Sequence, residues 1–441
     1  MAVEEVIHRG ALATGDDITD KYPQDHNKEI YKYKILGAVP FTAHMDSLEK
    51  TRCIDPFHNF EEEPYVRNRG PLTGVYTDQA LSSAYASGAV VGTVLFIKAA
   101  EADITRLRNT EGLVIHDLAN NTSCGVRIVA NPVFSGADSY LTVKCTQIDT
   151  DAALAADTPS LSYTTLGQGR AEGSKLGVGI SVDLIHRTNK TQIFDESTEM
   201  TETQRARAQY YTESEETRQL FAMRERFAKK QEWAYLEGIE EAYTDPVTGK
   251  PVRRLQGVIS EMRKRIGLGT LDNRIYRFKT DTEFSGQSWR TGGYNWLKKI
   301  IRETSTFDTG VYTKRLYMGN VLWEHIVSCV EDRTHWNWQY VDSGFGYKVK
   351  VLQGLMKDVE LWLHPLMAEN PAYQSAGFLT EPGLNKILPY RDRKDIMGGV
   401  QDDNGNLFED QRKWGMIYEG TMEWHCLENQ ALIYCADLNT V

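Results

Sequence analysis

The residue types that could do chemistry do not assemble into a recognised motif. Gly167-Gln-Gly-Arg-Ala-Glu-Gly173 misses the GxGxxG phosphate-binding pattern by one residue, and the sequence has no GxxxxGK[ST] loop. We interpret these glycines as turn residues, because glycine adopts positive φ without strain. A GxSxG nucleophile elbow and an HExxH zinc helix are also missing from the sequence.

Two other clusters contain side chains that could bind a ligand. His58 with Glu61, Glu62 and Glu63 could hold a metal, but this spacing fits no known ligand pattern and favours a solvated acidic loop. His335-Trp-Asn-Trp338 could stack on bases or sugars, although tryptophans in an α/β unit more often pack in a core or an interface. We therefore predict no catalytic, cofactor-binding or metal-binding residue and no cofactor.

Composition narrows the class of protein further. The 441 residues include 50 Lys and Arg and 61 Asp and Glu, which gives a formal charge of −11. This acidic balance disfavours a protein whose main function is to bind nucleic acid. The six cysteines have no CxxC spacing, so reduced thiols are expected. The first residues lack the apolar stretch of a signal peptide, and the longest apolar run, 89–97, is far shorter than the roughly 20 residues that span a bilayer.

The elements that must carry these residues differ between the two halves of the chain. All nine tryptophans follow residue 230, whereas the first half is rich in Thr, Ser, Ala, Val and Gly. Short apolar runs separated by turn residues predict a hairpin-rich excursion with strands at 90–97, 113–116, 126–129, 140–145 and 178–184.

One long helix is predicted to follow. Thr201-Glu-Thr-Gln204 fits a capping box, and no Pro or Gly occurs before Gly238, which predicts about 35 helical residues. When the side chains are placed at 100° per residue around the predicted helix, apolar residues cover an arc on one side and a polar set covers the other. The arc comprises Leu220, Phe221, Met223, Phe227, Ala228, Ala234, Tyr235 and Ile239, and the polar set Arg218, Glu225, Arg226, Lys229, Glu232 and Glu240.

The rest of the chain predicts a compact α/β unit and a terminal pair of strands. Helix and strand patterns alternate over 250–395. Apolar residues then occupy alternate positions from Trp414 to Cys426, which indicates a long half-buried strand. After a turn at 428–430, residues 431–435 are expected to return as a second strand.

This order of elements resembles the major capsid protein of tailed bacteriophages, the Hong-Kong-97-type fold. Short motifs support the resemblance at matching places along the chain. They are Val39-Pro-Phe-Thr, Lys50 and Phe57-His-Asn-Phe-Glu61 near the arm, Glu172-Gly-Ser174 and Asn189-Lys-Thr-Gln-Ile-Phe194 before the long helix, and Lys314-Arg-Leu-Tyr-Met-Gly-Asn320 before a later helix.

The resemblance implies an α+β fold with an N-arm, an extended β-hairpin loop, a peripheral domain with a long spine helix and an α/β axial domain. The implied boundaries are 1–57 for the arm and lead-in, 58–195 for the β-rich region with the extended loop at about 98–175, 196–245 for the spine helix, 246–400 for the axial domain and 401–441 for the terminal strands of the peripheral domain.

The implied function is structural rather than enzymatic. Such proteins self-assemble as hexamers and pentamers into the icosahedral head that encloses double-stranded DNA, so the expected location is the virion after assembly in the host cytoplasm. A separate scaffolding protein, a portal and decoration proteins are the implied partners, DNA is contacted weakly and without sequence specificity, and no membrane is involved. Some members cross-link subunits through Lys–Asn bonds, and Lys98 and Lys144 lie in or near the implied extended loop.

Two alternatives remain open at this point. An encapsulin-type nanocompartment shell has the same fold, although those shells are usually shorter. A hydrolase or sugar-binding protein could instead use the Trp-rich unit at 288–364, in which case a deep pocket with convergent carboxylates is expected near Trp336 and Trp338.

Overall fold

The structure is a computed structural model, and it divides the chain into two compact units. One unit is Met1–Glu62 with His186–Val441, and the other is Glu63–Ile185. The described residues are 39–48, 51–63, 68–85, 91–117, 122–148, 161–169, 172–173, 181–201, 203–204, 214–331, 338–342, 348–352, 356–401 and 407–435.

Helices and strands are mixed throughout, which confirms the predicted α+β class. The described helices are α1 Pro40–Asp46, α2 Glu101–Ile104, α3 Glu215–Glu237, α4 Val258–Gly267, α5 Trp289–Thr304, α6 Asn320–Glu331 and α7 Pro365–Glu369. The described strands are β1 Phe57–Glu62, β2 Arg69–Pro71, β3 Gly74–Tyr76, β4 Val94–Lys98, β5 Glu111–Asp117, β6 Thr122–Ile128, β7 Tyr140–Ile148, β8 Leu161–Gln168, β9 Ile185–Lys190, β10 Gln192–Thr201, β11 Glu241–Thr244, β12 Pro251–Arg254, β13 Ile275–Arg277, β14 Thr313–Met318, β15 Trp338–Asp342, β16 Lys348–Leu352, β17 Asp358–Leu363, β18 Ala376–Thr380, β19 Asn385–Gln401, β20 Leu407–Trp424 and β21 Ala431–Tyr434.

The smaller unit, Glu63–Ile185, is built on one seven-stranded antiparallel sheet in the order β2-β8-β5-β6-β7-β4-β3. Alternate residues of its strands, such as Ile97, Ile115 and Val143, are fully buried in a core that belongs to this unit. The expected hairpin-rich excursion is therefore a sheet with a core of its own. The strand predicted at 178–184 is not found at 181–184, and 178–180 lie outside the described residues.

The larger unit contains the predicted α/β arrangement. Seven strands form a mixed sheet in the order β13-β21-β18-β14-β17-β16-β15, in which β14 runs parallel to β17. Trp289 and Trp296 on α5 are fully buried and pack edge-on against Phe278. Trp289 and Trp296 are thus core residues, which is the more common role of tryptophan in an α/β unit.

A second sheet of the larger unit has the order β10-β20-β19. The alternation predicted for β20 is present, since Trp414, Met416, Tyr418, Met422 and Trp424 are all buried. The predicted terminal strand pair is wrong, however, because β20 pairs with β19, which the expected boundaries gave to the axial domain.

The returning strand β21 joins the α/β sheet between β13 and β18. Its change of direction begins at Cys426, whose φ of 45° is left-handed, and continues through a short 3₁₀ turn at Leu427–Asn429.

The long helix is shorter than predicted. Thr201 is the last residue of β10, and the continuous helix α3 has 23 residues with Ser214 as its N-cap, because the Thr217 amide donates to Ser214 Oγ. Residues 203–204 are helical, while 205–213 lie outside the described residues. The helix ends at Gly238, where a Cβ atom would lie 2.4 Å from the Ala234 carbonyl oxygen, so the packing requires glycine.

The burial of α3 also departs from the predicted arc. Met223, Phe227 and Tyr235 are buried as expected, but Phe221 is 51% exposed. Glu232, which was placed on the polar side, is fully buried. The reason is that α3 packs against β10 on one side and against α1 and α4 on others, so more than one face is covered.

Candidate structural junction of the larger unit

Glu232 joins three parts of the larger unit through one carboxylate. Its Oε1 accepts the Phe41 amide at 2.9 Å and its Oε2 accepts the Thr42 amide at 2.7 Å, while the Thr42 hydroxyl also donates to Oε2. Both amides belong to the first turn of α1, whose N–H groups have no partner within the helix. The carboxylate of α3 therefore caps α1 and holds this segment against the long helix.

His364 completes the set of donors around Glu232. Its Nε2 lies 2.8 Å from Glu232 Oε1, and its Nδ1 accepts the Met367 amide at the start of α7. Because Nδ1 accepts a hydrogen bond, the ring proton must lie on Nε2, which donates it to the carboxylate. Both side chains are fully buried, so every oxygen lone pair used here has a protein donor in place of water.

The other side of α1 is packed by aromatic rings. Phe41 contacts Tyr317 and Phe378 edge-on, with ring centroids 5.6 and 6.0 Å apart. His44 Nδ1 lies 2.7 Å from the Tyr317 hydroxyl. Burial, together with the Arg315 guanidinium, lowers the pKa of His44 to about 3, so this ring is neutral at physiological pH.

A second buried network lies between the strands and loops of the α/β sheet. Lys314 Nζ donates to the Thr304 carbonyl at 3.0 Å, the Asn429 carbonyl at 2.9 Å and Glu381 Oε1 at 2.6 Å. Lys357 Nζ donates to the same Glu381 oxygen at 2.7 Å. Burial lowers the pKa of Lys314 to about 8 in spite of the nearby carboxylate, and the ammonium has an acceptor for each of its three protons.

A third network lies at the paired strands β1 and β9, where the chain passes to and from the smaller unit. His58 Nε2 and His425 Nε2 approach the two oxygens of Glu423 at 2.5 and 3.2 Å. Hydrogen bonds from His425 and His58 lower the pKa of Glu423 to about 2. Glu62 on β1 binds Arg187 on β9 at 3.2 Å, and this ion pair links the two paired strands.

The structure separates the residues of the metal-site hypothesis. His58 binds Glu423, Glu61 binds His186 and Glu62 binds Arg187, so these side chains have separate partners, and the segment Phe57–Glu62 is strand β1 instead of the expected solvated loop. Within the part of the chain that is described, no group of three or more His, Cys, Asp or Glu side chains could hold a metal ion.

The structure gives a local environment for some of the remaining candidates. Lys98 forms an ion pair with Asp138 at 2.6 Å, and Lys144 is exposed on β7. Gly173 lies in a turn with positive φ, as predicted, whereas Gly167 has its positive φ within strand β8, next to an irregularity in the pairing with β5; most of 170–180 lies outside the described residues. His335 to Asn337 lie outside them as well, and only the backbone of Trp338 is described. No described helix is long and apolar enough to cross a membrane.

The junction residues could not be recognised in the sequence. Glu232 belongs to the polar face of an amphipathic pattern, and nothing local marks it as the cap of a helix 190 residues away. Lys314 is a single charge at the start of a strand, which is ordinary for an exposed position. Their role depends on tertiary partners, and chemically they fix the positions of elements rather than create a reactive centre.

Comparison with known proteins finds one protein family that part of the chain resembles. Residues 150–287 match the family model described as SU10 major capsid protein, a stretch that includes β9, β10 and α3. No curated protein matches the chain.

Solved structures with low similarity include capsid proteins and one encapsulin. The cyanophage Pam1 capsid asymmetric unit has 10% sequence identity and a TM-score of 0.38, and the match covers 62% of this chain and 83% of that chain. A structure of Mycobacterium phage Cain has 13% identity and a TM-score of 0.37, with 62% of this chain and 81% of that chain covered. The holo-SrpI encapsulin complex from Synechococcus elongatus PCC 7942 has 8% identity and a TM-score of 0.36, with 59% of this chain and 79% of that chain covered. At these TM-scores the assignment rests on the family match. That match, over residues 150–287, supports the resemblance to the major capsid proteins of tailed bacteriophages that the order of elements predicts.

Proposed function

We propose that this protein assembles as hexamers and pentamers into the icosahedral head that encloses the double-stranded DNA of a tailed bacteriophage. The observation that carries the proposal is the family match over residues 150–287. The described structure supports the proposal, because a shell subunit needs elements that keep their relative positions under the pressure of the enclosed DNA. In the larger unit, Glu232 ties α1, α3 and His364 together through buried hydrogen bonds.

The charge of the chain also supports a container for DNA. A formal charge of −11 keeps the affinity for phosphate low, so DNA can be packed and released without specific binding. We propose that the protein acts without catalysis, that a separate scaffolding protein and a portal direct its assembly in the host cytoplasm, and that decoration proteins bind the finished virion.

The expected boundaries of arm, extended loop, spine helix, axial domain and terminal strands remain part of this proposal. They can be tested by limited proteolysis before and after assembly. Sites that are cut in free subunits and protected in particles would locate the segments that overlap neighbouring subunits, and we expect them within 1–57 and about 98–175.

Electron microscopy and analytical ultracentrifugation of the purified chain at rising concentration test the function itself. We expect hexameric rings, tubes or closed shells, and closed shells of uniform size when a scaffolding protein is co-expressed. A protein that stays monomeric under both conditions would overturn the proposal. Particles that enclose an enzyme instead of DNA would support the nanocompartment alternative.

A further inference from the structure

A groove of about 590 Å³ lies along one face of α5 in the larger unit. Lys298 and Arg302 stand on its helical wall, and Phe284, Ile301 and Met356 supply its apolar part. Phe284 and Ile301 are almost completely buried, whereas Met356 is 67% exposed. The groove is thus an apolar depression beside two cations.

The positive charge of the groove is not balanced by its own carboxylates. Asp281 and Glu283 both bind Lys299, at 3.1 and 2.9 Å. Lys298 stacks over the Tyr294 ring at 4.5 Å. Within the described part of the chain, no carboxylate pairs with Lys298 or Arg302, so both cations are available to an acidic ligand.

The chain itself contains a segment with complementary chemistry. Residues 12–20 read Leu-Ala-Thr-Gly-Asp-Asp-Ile-Thr-Asp, which gives three carboxylates and no cation around Ile18. This segment ends 19 residues (39 − 20) before Val39, the first described residue. Nineteen residues span up to roughly 60 Å when extended, so the segment can reach beyond its own subunit.

We propose that the groove beside α5 binds residues 12–20 of a second copy of this chain. Asp16, Asp17 and Asp20 would pair with Lys298 and Arg302, and Ile18 would cover the apolar part next to Met356. The inference rests on the proposed shell function, because a neighbouring subunit supplies the second copy. Phosphates of packed DNA would use the two cations but would leave the apolar part open, so the acidic peptide fits the groove better.

Zero-length cross-linking tests this contact directly. Particles are assembled from a mixture of ¹⁴N-labelled and ¹⁵N-labelled full-length chains, treated with a water-soluble carbodiimide and analysed by mass spectrometry. We expect amide cross-links from Lys298 to Asp16 or Asp17 in which the two peptides carry different isotopes as often as the same one. Cross-links that join only peptides of the same isotope would mean that the segment stays on its own subunit, and would overturn the proposal.

Charge-reversal variants on the two sides of the proposed contact provide a second, independent measurement. The double variant Lys298→Glu/Arg302→Glu should raise the critical concentration for assembly about tenfold, because two favourable ion pairs become repulsive. Asp16→Lys/Asp17→Lys should do the same, and combining all four substitutions should restore assembly. The matched control is Lys250→Glu/Lys386→Glu, which changes the charge equally at two exposed positions outside the groove.

The outcomes separate this inference from the proposed function. If the unchanged chain forms no particles, the shell function fails. If it forms particles and the groove variants assemble like the control, the docking proposal fails while the shell function stands. Groove variants that form normal particles with less enclosed DNA would assign the groove to phosphate and would also overturn the proposal.

Discussion

Removing the carboxylate of Glu232 should release α1 from the long helix. The substitution Glu232→Ala leaves the amides of Phe41 and Thr42, the Thr42 hydroxyl and His364 Nε2 without their shared acceptor. All of these groups are buried, so water does not replace the lost oxygen atoms without opening the structure.

The size of the effect follows from the type of contact. Leaving a buried hydrogen-bond donor without its acceptor typically costs about 1–3 kcal/mol, and Glu232→Ala leaves several such donors. An opening free energy lower by about 3 kcal/mol corresponds to more than a hundredfold faster exchange of protected amide hydrogens. Because a chain with two compact units does not unfold as one two-state system, a local measurement is more informative than a melting temperature.

Amide hydrogen exchange read by mass spectrometry supplies that local measurement. We expect peptides that cover α1 to lose at least a hundredfold in protection in Glu232→Ala, while peptides of the smaller unit keep theirs. The matched control is Glu225→Ala on the same helix, which removes only a surface ion pair with Lys229 and should change stability by less than about 0.5 kcal/mol.

Two results would refute this reasoning. Equal exchange of α1 in the Glu232 and Glu225 variants would show that the carboxylate does not hold α1 in place. Uniform loss of protection across the whole larger unit would show that Glu232 supports the global fold rather than this junction.

Three further predictions test other parts of the chain. Ala228→Pro should break α3 at a cost of about 3 kcal/mol or more and abolish particles in electron micrographs, whereas Ala228→Ser should assemble; normal shells from the proline variant would contradict the role of α3. Gly319→Ala should lower the urea midpoint of the larger unit, because the added Cβ would lie 2.4 Å from two carbonyl oxygens. Gly267→Ala is the control, since its Cβ would face open space and the change should be neutral or slightly stabilising. Equal urea midpoints for the two variants would count against the close approach at Gly319. The folded-state pKa of Glu423 is about 2, below its ordinary 4.5, so its contribution to stability is present above pH 4.5 and lost as pH falls toward 2; Glu423→Gln should therefore flatten the acid limb of a stability-against-pH curve, and an unchanged limb would exclude this contribution.

Local patterns predicted the elements that depend on local chemistry. The alternation from Trp414 to Trp424 correctly predicted an extended strand with its apolar face buried, although Glu419 and Thr421 on the other face are buried as well. The strands predicted at 113–116 and 140–145 also lie within observed strands, β5 and β7.

Pairing and burial in tertiary structure were not predictable in the same way. β20 pairs with β19 and not with β21, and the change of direction after β20 begins at the left-handed Cys426, a residue type that does not signal this conformation. The N-terminal limit of α3 was misplaced because the Thr201 hydroxyl does accept the Gln204 amide, as a capping box requires, although the continuous helix begins only after Ser214. Glu232 was misassigned because helical periodicity cannot reveal that a second surface covers the polar face.

The pairing of β1 with β9 has a consequence for how such a chain can change over generations. The backbone leaves the larger unit after Glu62 and re-enters it at His186, and at this point Glu62 and Arg187 are 3.2 Å apart. Because the two ends are neighbours, everything between them is topologically an insertion with a core of its own. Recombination could therefore delete, replace or enlarge the unit Glu63–Ile185, while a short linker between 62 and 186 would preserve the fold of the larger unit.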